Sequence, residues 1–192
     1  MEAADYASSL AGELDAIVEL TGRLVAIESP TAAHEGVAAV TASLGLPAGL
    51  RSEAPWLLGG AKTLSYAVNM ASLRWAQRVG ADDVLWVSAD GFVLEAPTST
   101  LLWLVGTTLH TVPVDATGIL AGTTARYLLD NAGELGWDTA ESMITPAELV
   151  GTDGAWLTSS VRGLAAVRSL DGAPLSSSDA DTQRIRKLLG FA

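Results

Sequence analysis

A lysine in an apolar stretch, a carboxylate at a strand end and a glycine-bearing loop that opens a helix are the features of this sequence best suited to chemistry. Lys62 lies in PWLLGGAKTLSYAV and is one of two lysines, with Lys187, among 11 basic residues. A lysine amine in a partly desolvated pocket has a lowered pKa and forms a Schiff base with a carbonyl compound. The same residue at a helix start would lay its stem on the surface and keep its head in water. Glu95 ends the run GFVLE; a carboxylate there either pairs with a buried cation or is a solvated acid, and alternation along the strand does not decide between them. Gly118–Thr124 reads GILAGTT. Free N–H groups at a helix N-terminus bind anions and threonine hydroxyls add donors, while the plainer reading is a helix cap at Thr123 or Thr124. Thr158, Ser159 and Ser160 precede Arg162: hydroxyls that hold a phosphate beside a guanidinium that holds an anion, or simply turn formers.

Several other chemistries lack their residues. There is no cysteine, and the two histidines, His34 and His110, are far apart in sequence, so no thiolate nucleophile, disulfide or zinc site is expected. The GILAGTT loop lacks the GK[ST] of a nucleotide-binding P-loop, and neither a G-x-G-x-x-G nor a G-x-S-x-G motif occurs. The formal charge of −11 argues against a nucleic-acid binder. No apolar run reaches the roughly 18 residues of a membrane span, and the opening MEAADYASSLAGE has no basic region of a signal peptide. The expectation is a soluble cytoplasmic protein with neither nucleic acid nor membrane as partner. The tryptophans at 56, 75, 86, 103, 137 and 156 are expected in a core or interface.

The elements that must position these residues follow from punctuation and period. The chain has 192 residues, 49% of them apolar and 17% charged, which suits one domain, or a domain with a short extra segment. Residues 10–28 begin with a helical period. Gly36–Ser43 reads as a strand or short helix. Residues 62–79 predict a helix with Leu64, Val68, Ala71, Trp75 and Val79 on one face, capped by Thr63 or Ser65 and ended by Gly80. Val84–Ser88 and Phe92–Glu95 predict a hairpin around Ala89-Asp90-Gly91, and Leu101–Val105 with Leu109–Val112 a second around Gly106. A loop from Pro113 to Gly122 leads to a helix over Thr123–Leu135. Strands are expected at Trp156–Thr158 and Ala165–Leu170, and a closing helix at Asp179–Leu189. Hairpins separated by helices make an α+β pattern.

Taken in order, a lysine leading a helix, a strand–DG–strand unit ending in Glu95, a second hairpin, GILAGTT, WLTSS and the VRSLDG turn resemble the fold-type IV pyridoxal-phosphate enzymes. These include branched-chain and D-amino acid aminotransferases and 4-amino-4-deoxychorismate lyases. The stretches APWLLGGAKTLSYAVNMASLRWAQRVGADDVLWVSADGFVLEAPTST and WLTSSVRGLAAVRSLDG are most similar to actinobacterial aminodeoxychorismate lyase-like members. The likeness runs from about Glu35 to the C-terminus. It implies a hairpin-rich β pseudo-barrel flanked by helices over residues 51–192, the cofactor-binding carboxyl-terminal domain, after a shortened remnant of the amino-terminal domain over 1–50. Arg23 and Arg51 are the basic residues before Lys62, and neither lies in a family motif. Thr100 stands where many aminotransferases have Asn.

The resemblance also implies roles. Lys62 would bind pyridoxal 5′-phosphate covalently and then shuttle protons. Glu95 would pair with the pyridine nitrogen, Tyr66 with the phenolic oxygen, and Thr123, Thr124 and Ser160 with the phosphate. Arg162 would meet the substrate. The implied activity is a lyase forming 4-aminobenzoate and pyruvate from 4-amino-4-deoxychorismate for folate synthesis. An aminotransferase of branched-chain or D-amino acids uses the same constellation, and a truncated, inactive cofactor-fold protein is the alternative of another class. The expected partners are an amino acid or aminodeoxychorismate-type substrate and a second copy in a homodimer.

Overall fold

The computed structural model describes residues 36–191; the element predicted over 10–28, Arg23 and His34 lie outside them. The VAAVTAS run is strand β1 (Val37–Ser43). Helix α1 (Leu50–Glu53) and a 3-10 turn (Pro55–Leu57) lead to α2 (Ala67–Arg78). Then come β2 (Asp83–Val87), β3 (Thr100–Val105), β4 (Thr108–Thr111), α3 (Val114–Thr117) and α4 (Thr123–Asp130), with a 3-10 turn at Ala132–Leu135. The chain continues through β5 (Asp138–Glu141), α5 (Pro146–Val150), β6 (Gly154–Ser159), β7 (Gly163–Leu170), β8 (Ala173–Pro174) and α6 (Asp179–Leu189).

The strands form one mixed sheet in the order β2-β1-β7-β6-β3-β4-β5, with β8 on β7. β1 runs parallel to β2 and β7; β7, β6, β3 and β4 are antiparallel in turn; β5 is parallel to β4. This is the α+β architecture that the hairpin pattern predicts. β1 comes from the stretch before residue 51, and it joins β2 to the rest of the sheet.

Strand β3 shows why its sequence, TLLWLV, is apolar throughout. Successive side chains point to opposite faces, and here both faces are covered. Leu101 and Trp103 enter one core with Val84, Leu85 and Val167. Leu102 and Leu104 enter another with Trp156, Leu128 of α4 and Ile185 of α6. Trp156 is fully buried, and its Nε1 donates to Thr182 Oγ1 at 2.9 Å, tying α6 to β6. Trp156→Ala is therefore expected to cost about 3–5 kcal/mol of stability. Trp156→Phe, which keeps most of the ring, should cost about 1–2 kcal/mol. Denaturant midpoints of the two variants check this order.

The structure departs from several predicted elements. The helix expected over 62–79 starts at Ala67, with Tyr66 as its cap residue and no side-chain cap bond. Thr63 and Ser65 instead bond locally, Ser65 N–H to Thr63 Oγ1 at 3.2 Å, so Lys62–Tyr66 form a loop. The face carrying Val68, Trp75 and Val79 is exposed, and Ser72 and Ala76 are the buried residues of α2; small side chains let that helix approach the sheet. Trp56 is 80% exposed, whereas Trp86, Trp103, Trp137 and Trp156 are buried. The helix over 123–135 is divided after Asp130, where Asn131 Nδ2 donates to the Tyr127 carbonyl at 2.8 Å. Phe92–Glu95 pairs with β2 through Leu94 N–H to Trp86 O and Trp86 N–H to Glu95 O without forming a regular strand. α3 interrupts the Pro113–Gly122 loop.

Candidate active site

A cavity of about 620 Å³ opens among the loop before α2, the segment after β2, the loop before α4 and the end of β6. Lys62, Tyr66, Glu95, Thr123, Thr124 and Ser160 all line it. Lys62 is exposed, and its Nζ lies 5.9 Å from the centre of the Tyr66 ring. Both residues are carried by the irregular backbone from Ala61 to Tyr66 that precedes α2.

Glu95 is not a solvated acid. Its side chain is 13% exposed, and Oε1 accepts from Arg51 at 2.8 Å while Oε2 accepts from the Leu120 N–H at 3.0 Å. Both oxygens are thus held, and the carboxylate is anchored to α1 and to the GILAGTT loop at once. Arg51 is the residue that sequence reasoning did not select. Its local pattern carries no mark of function; its place is set by Gly59, close in sequence, and by the distant Gly118. A Cβ on Gly59 would lie 2.3 Å from the Arg51 carbonyl oxygen, and one on Gly118, which has φ +63°, 2.9 Å from the Arg51 carbonyl carbon. Gly60 N–H also donates to the Gly118 carbonyl at 2.8 Å. These close approaches join the Lys62 loop, α1 and the GILAGTT loop into one wall. Among the described residues, Lys62 makes no carboxylate pair, in contrast to Arg51. The wall therefore presents one matched ion pair and one amine.

At the other end, Gly122 is the cap residue of α4, extended and without a side-chain cap bond. Thr123 and Thr124 are thus the first residues of the helix rather than its cap, where backbone N–H groups are free to meet an anion. Their hydroxyls lie 3.2 and 3.4 Å from Ser160 Oγ. A Cβ on Gly122 would lie 2.3 Å from Thr100 Oγ1, so a larger residue there would force that hydroxyl to move. Two further hydroxyls in the lining, Ser99 Oγ and Thr158 Oγ1, are buried without a partner. Buried polar atoms are normally satisfied. Donors clustered at a helix start, with spare hydroxyls beneath them, fit a phosphate; an amine beside a held carboxylate fits an aldehyde-bearing pyridine. The residues present therefore suit pyridoxal phosphate. Arg162, expected to meet substrate, lies outside the lining, and its guanidinium pairs with Asp83.

Comparison with known proteins gives the same direction. A Mycobacterium tuberculosis protein named bifunctional aminodeoxychorismate lyase / D-amino acid transaminase is 43% identical over 150 residues, 75% of this chain and 52% of that protein. A fold IV-transaminase from Curtobacterium pusillum superposes with a TM-score of 0.78 at 39% identity, covering 84% of this chain and 56% of the other. A hypothetical aminotransferase from M. tuberculosis, in its PLP-bound form, superposes with a TM-score of 0.75 at 42% identity, covering 81% and 54%. This chain spans about half the length of these relatives. The sequence pattern of the amino-transferase class IV family matches residues 16–170, and with the shared fold around the cavity this shows that the chain belongs to the amino-transferase class IV family.

Proposed function

We propose that the chain binds pyridoxal 5′-phosphate in this cavity and acts as a lyase on 4-amino-4-deoxychorismate, releasing 4-aminobenzoate and pyruvate. The observation that carries the reading is the convergence of Lys62, Tyr66, Glu95, Thr123, Thr124 and Ser160, drawn from separate segments, on one cavity. When bound, the cofactor supplies an electron sink that makes an α-proton of an amino acid removable. The Lys62 amine would hold the cofactor by its aldehyde group, and its Nζ would take the α-proton of the substrate. Glu95, held by Arg51 and the Leu120 N–H, would face the pyridine nitrogen and favour its protonated form. Thr123, Thr124 and Ser160 grip the phosphate, with the helix N-terminus offsetting part of its charge. Tyr66 orients the ring through its phenolic oxygen.

Aminotransfer is the second reading, favoured by the double name of the M. tuberculosis relative. It would need the same residues, with Lys62 Nζ as the proton carrier. A homodimer belongs to the proposal. Among the described residues, Trp56, Leu64 and Val79 expose large apolar side chains that a second copy could cover.

The test is product formation by the purified chain with added cofactor. The lyase reading expects 4-aminobenzoate and pyruvate in equal amounts from 4-amino-4-deoxychorismate. Pyruvate from D-alanine and a 2-oxo acid, without 4-aminobenzoate, would establish the second reading. Cofactor capture with neither product would make the chain a non-catalytic member of its family.

A further inference from the structure

Ser160 lies in the reversal between β6 and β7, with no regular element to fix it. Two residues later the chain turns away from the cavity, and the Arg162 guanidinium pairs with Asp83 at the start of β2. The Asp83 side chain is fully buried, and that of Arg162 is 17% exposed. Asp83 Oδ1 also accepts from its neighbour's Val84 N–H at 2.8 Å. Asp83 belongs to β2 and the reversal joins β6 to β7, so the pair ties the reversal to another strand of the sheet through two side chains that do not line the cavity. The turn is braced twice more. Arg162 N–H donates to Ser159 Oγ at 3.0 Å. Gly163 follows with φ +73°, and a Cβ there would lie 3.0 Å from the Phe191 ring. Burial pushes the Asp83 carboxyl above its ordinary range, and the Arg162 charge opposes that rise. A buried acid kept against such a penalty does not by itself indicate added stability, because apolar pairs of similar size often serve as well. What this pair provides is a fixed place for the reversal.

We propose that Arg162 is a positioning residue: anchored by Asp83, it fixes the 160–162 reversal so that the Ser160 hydroxyl meets Thr123 and Thr124 and completes a grip on a phosphate monoester. The proposal rests on the cofactor reading above and deepens it by assigning phosphate selectivity to a pair outside the cavity. Lys62, Glu95 and Tyr66 are carried by other segments, so their contacts with the ring do not depend on this reversal.

The experiment titrates the full chain with pyridoxal 5′-phosphate and, separately, with unphosphorylated pyridoxal, following absorbance. Wild type should prefer the phosphate form. Arg162→Gln should weaken pyridoxal phosphate about tenfold or more, in keeping with the cost of small misplacements, and leave pyridoxal within about twofold. Arg162→Lys should restore most of the preference. Asp83→Asn should reproduce the loss, and Asp83→Asn with Arg162→Gln should lose no more than either alone, as expected of a coupled pair. If Arg162→Gln fails to fold, the double variant, which leaves no charge unpaired, gives the ratio. An unchanged ratio in a folded variant overturns the proposal, as does a parallel loss of both compounds, which a purely structural role would produce. Wild type that binds both forms equally overturns the phosphate grip while leaving Lys62 in its role. Wild type that binds neither overturns the cofactor reading itself.

Discussion

Replacing Lys62 by alanine is expected to lower turnover by about 10⁴-fold or more, because one side chain serves as both covalent anchor and proton carrier. The fold should hardly notice. Lys62 is exposed, and its contact with the Tyr66 ring is a loose 5.9 Å, so stability should change by less than about 1 kcal/mol. The near-visible absorbance of lysine-bound cofactor should vanish in the same variant. This combination separates a chemical role from a structural one. A variant that keeps the band, or turns over within tenfold of wild type, would remove Lys62 from the site.

Glu95→Gln should lower turnover by about 10²–10³-fold, the usual cost of losing one preorganised electrostatic contact at a reacting centre. The amide still offers an oxygen to the Leu120 N–H, but it leaves Arg51 without its anion. Stability should fall by about 1–2 kcal/mol once solvent screening of this partly exposed pair is allowed for. Arg51→Gln should move activity in the same direction, and the two changes together should be less than additive, since each breaks the same contact. Additive losses would mean that Arg51 and Glu95 act separately. The quantities to compare are kcat for the two single variants and the double variant, with denaturant midpoints measured on the same samples.

How far these positions were legible in the sequence depended on whether the information was local. The closing helix was read with its observed bounds, Asp179–Leu189, because Ser178 caps it with a bond from the Asp181 N–H and Gly190 ends it at φ +75°. The β3–β4 hairpin was equally clear from Gly106 between two apolar runs. Strand β5, DTAE, was missed because it is short, mostly exposed and polar. Helix α5 has five residues, too few for a helical period to show, and its local mark is the capping box of Thr145 and Glu148. Spacing did place Val68, Trp75 and Val79 on one face of α2, but a period says nothing about what covers a face, and here that face is exposed.

The candidate site shows the same division. Lys62, Glu95 and GILAGTT stood out as residue types in punctuated positions, and the family resemblance joined them. Arg51 did not stand out, because its link to Glu95 spans 44 residues and depends on glycines in two other loops. Arg162 was legible as a cation beside serines. Its partner was not, since Asp83 lies 79 residues away in sequence and meets it only in the folded chain.

The central claim is that Lys62 is the cofactor anchor. The most direct measurement is borohydride reduction of the full chain after incubation with pyridoxal 5′-phosphate, followed by peptide mapping. One label per chain is expected, on the peptide containing Lys62. Label confined to Lys187, or no label at saturating cofactor, would contradict it.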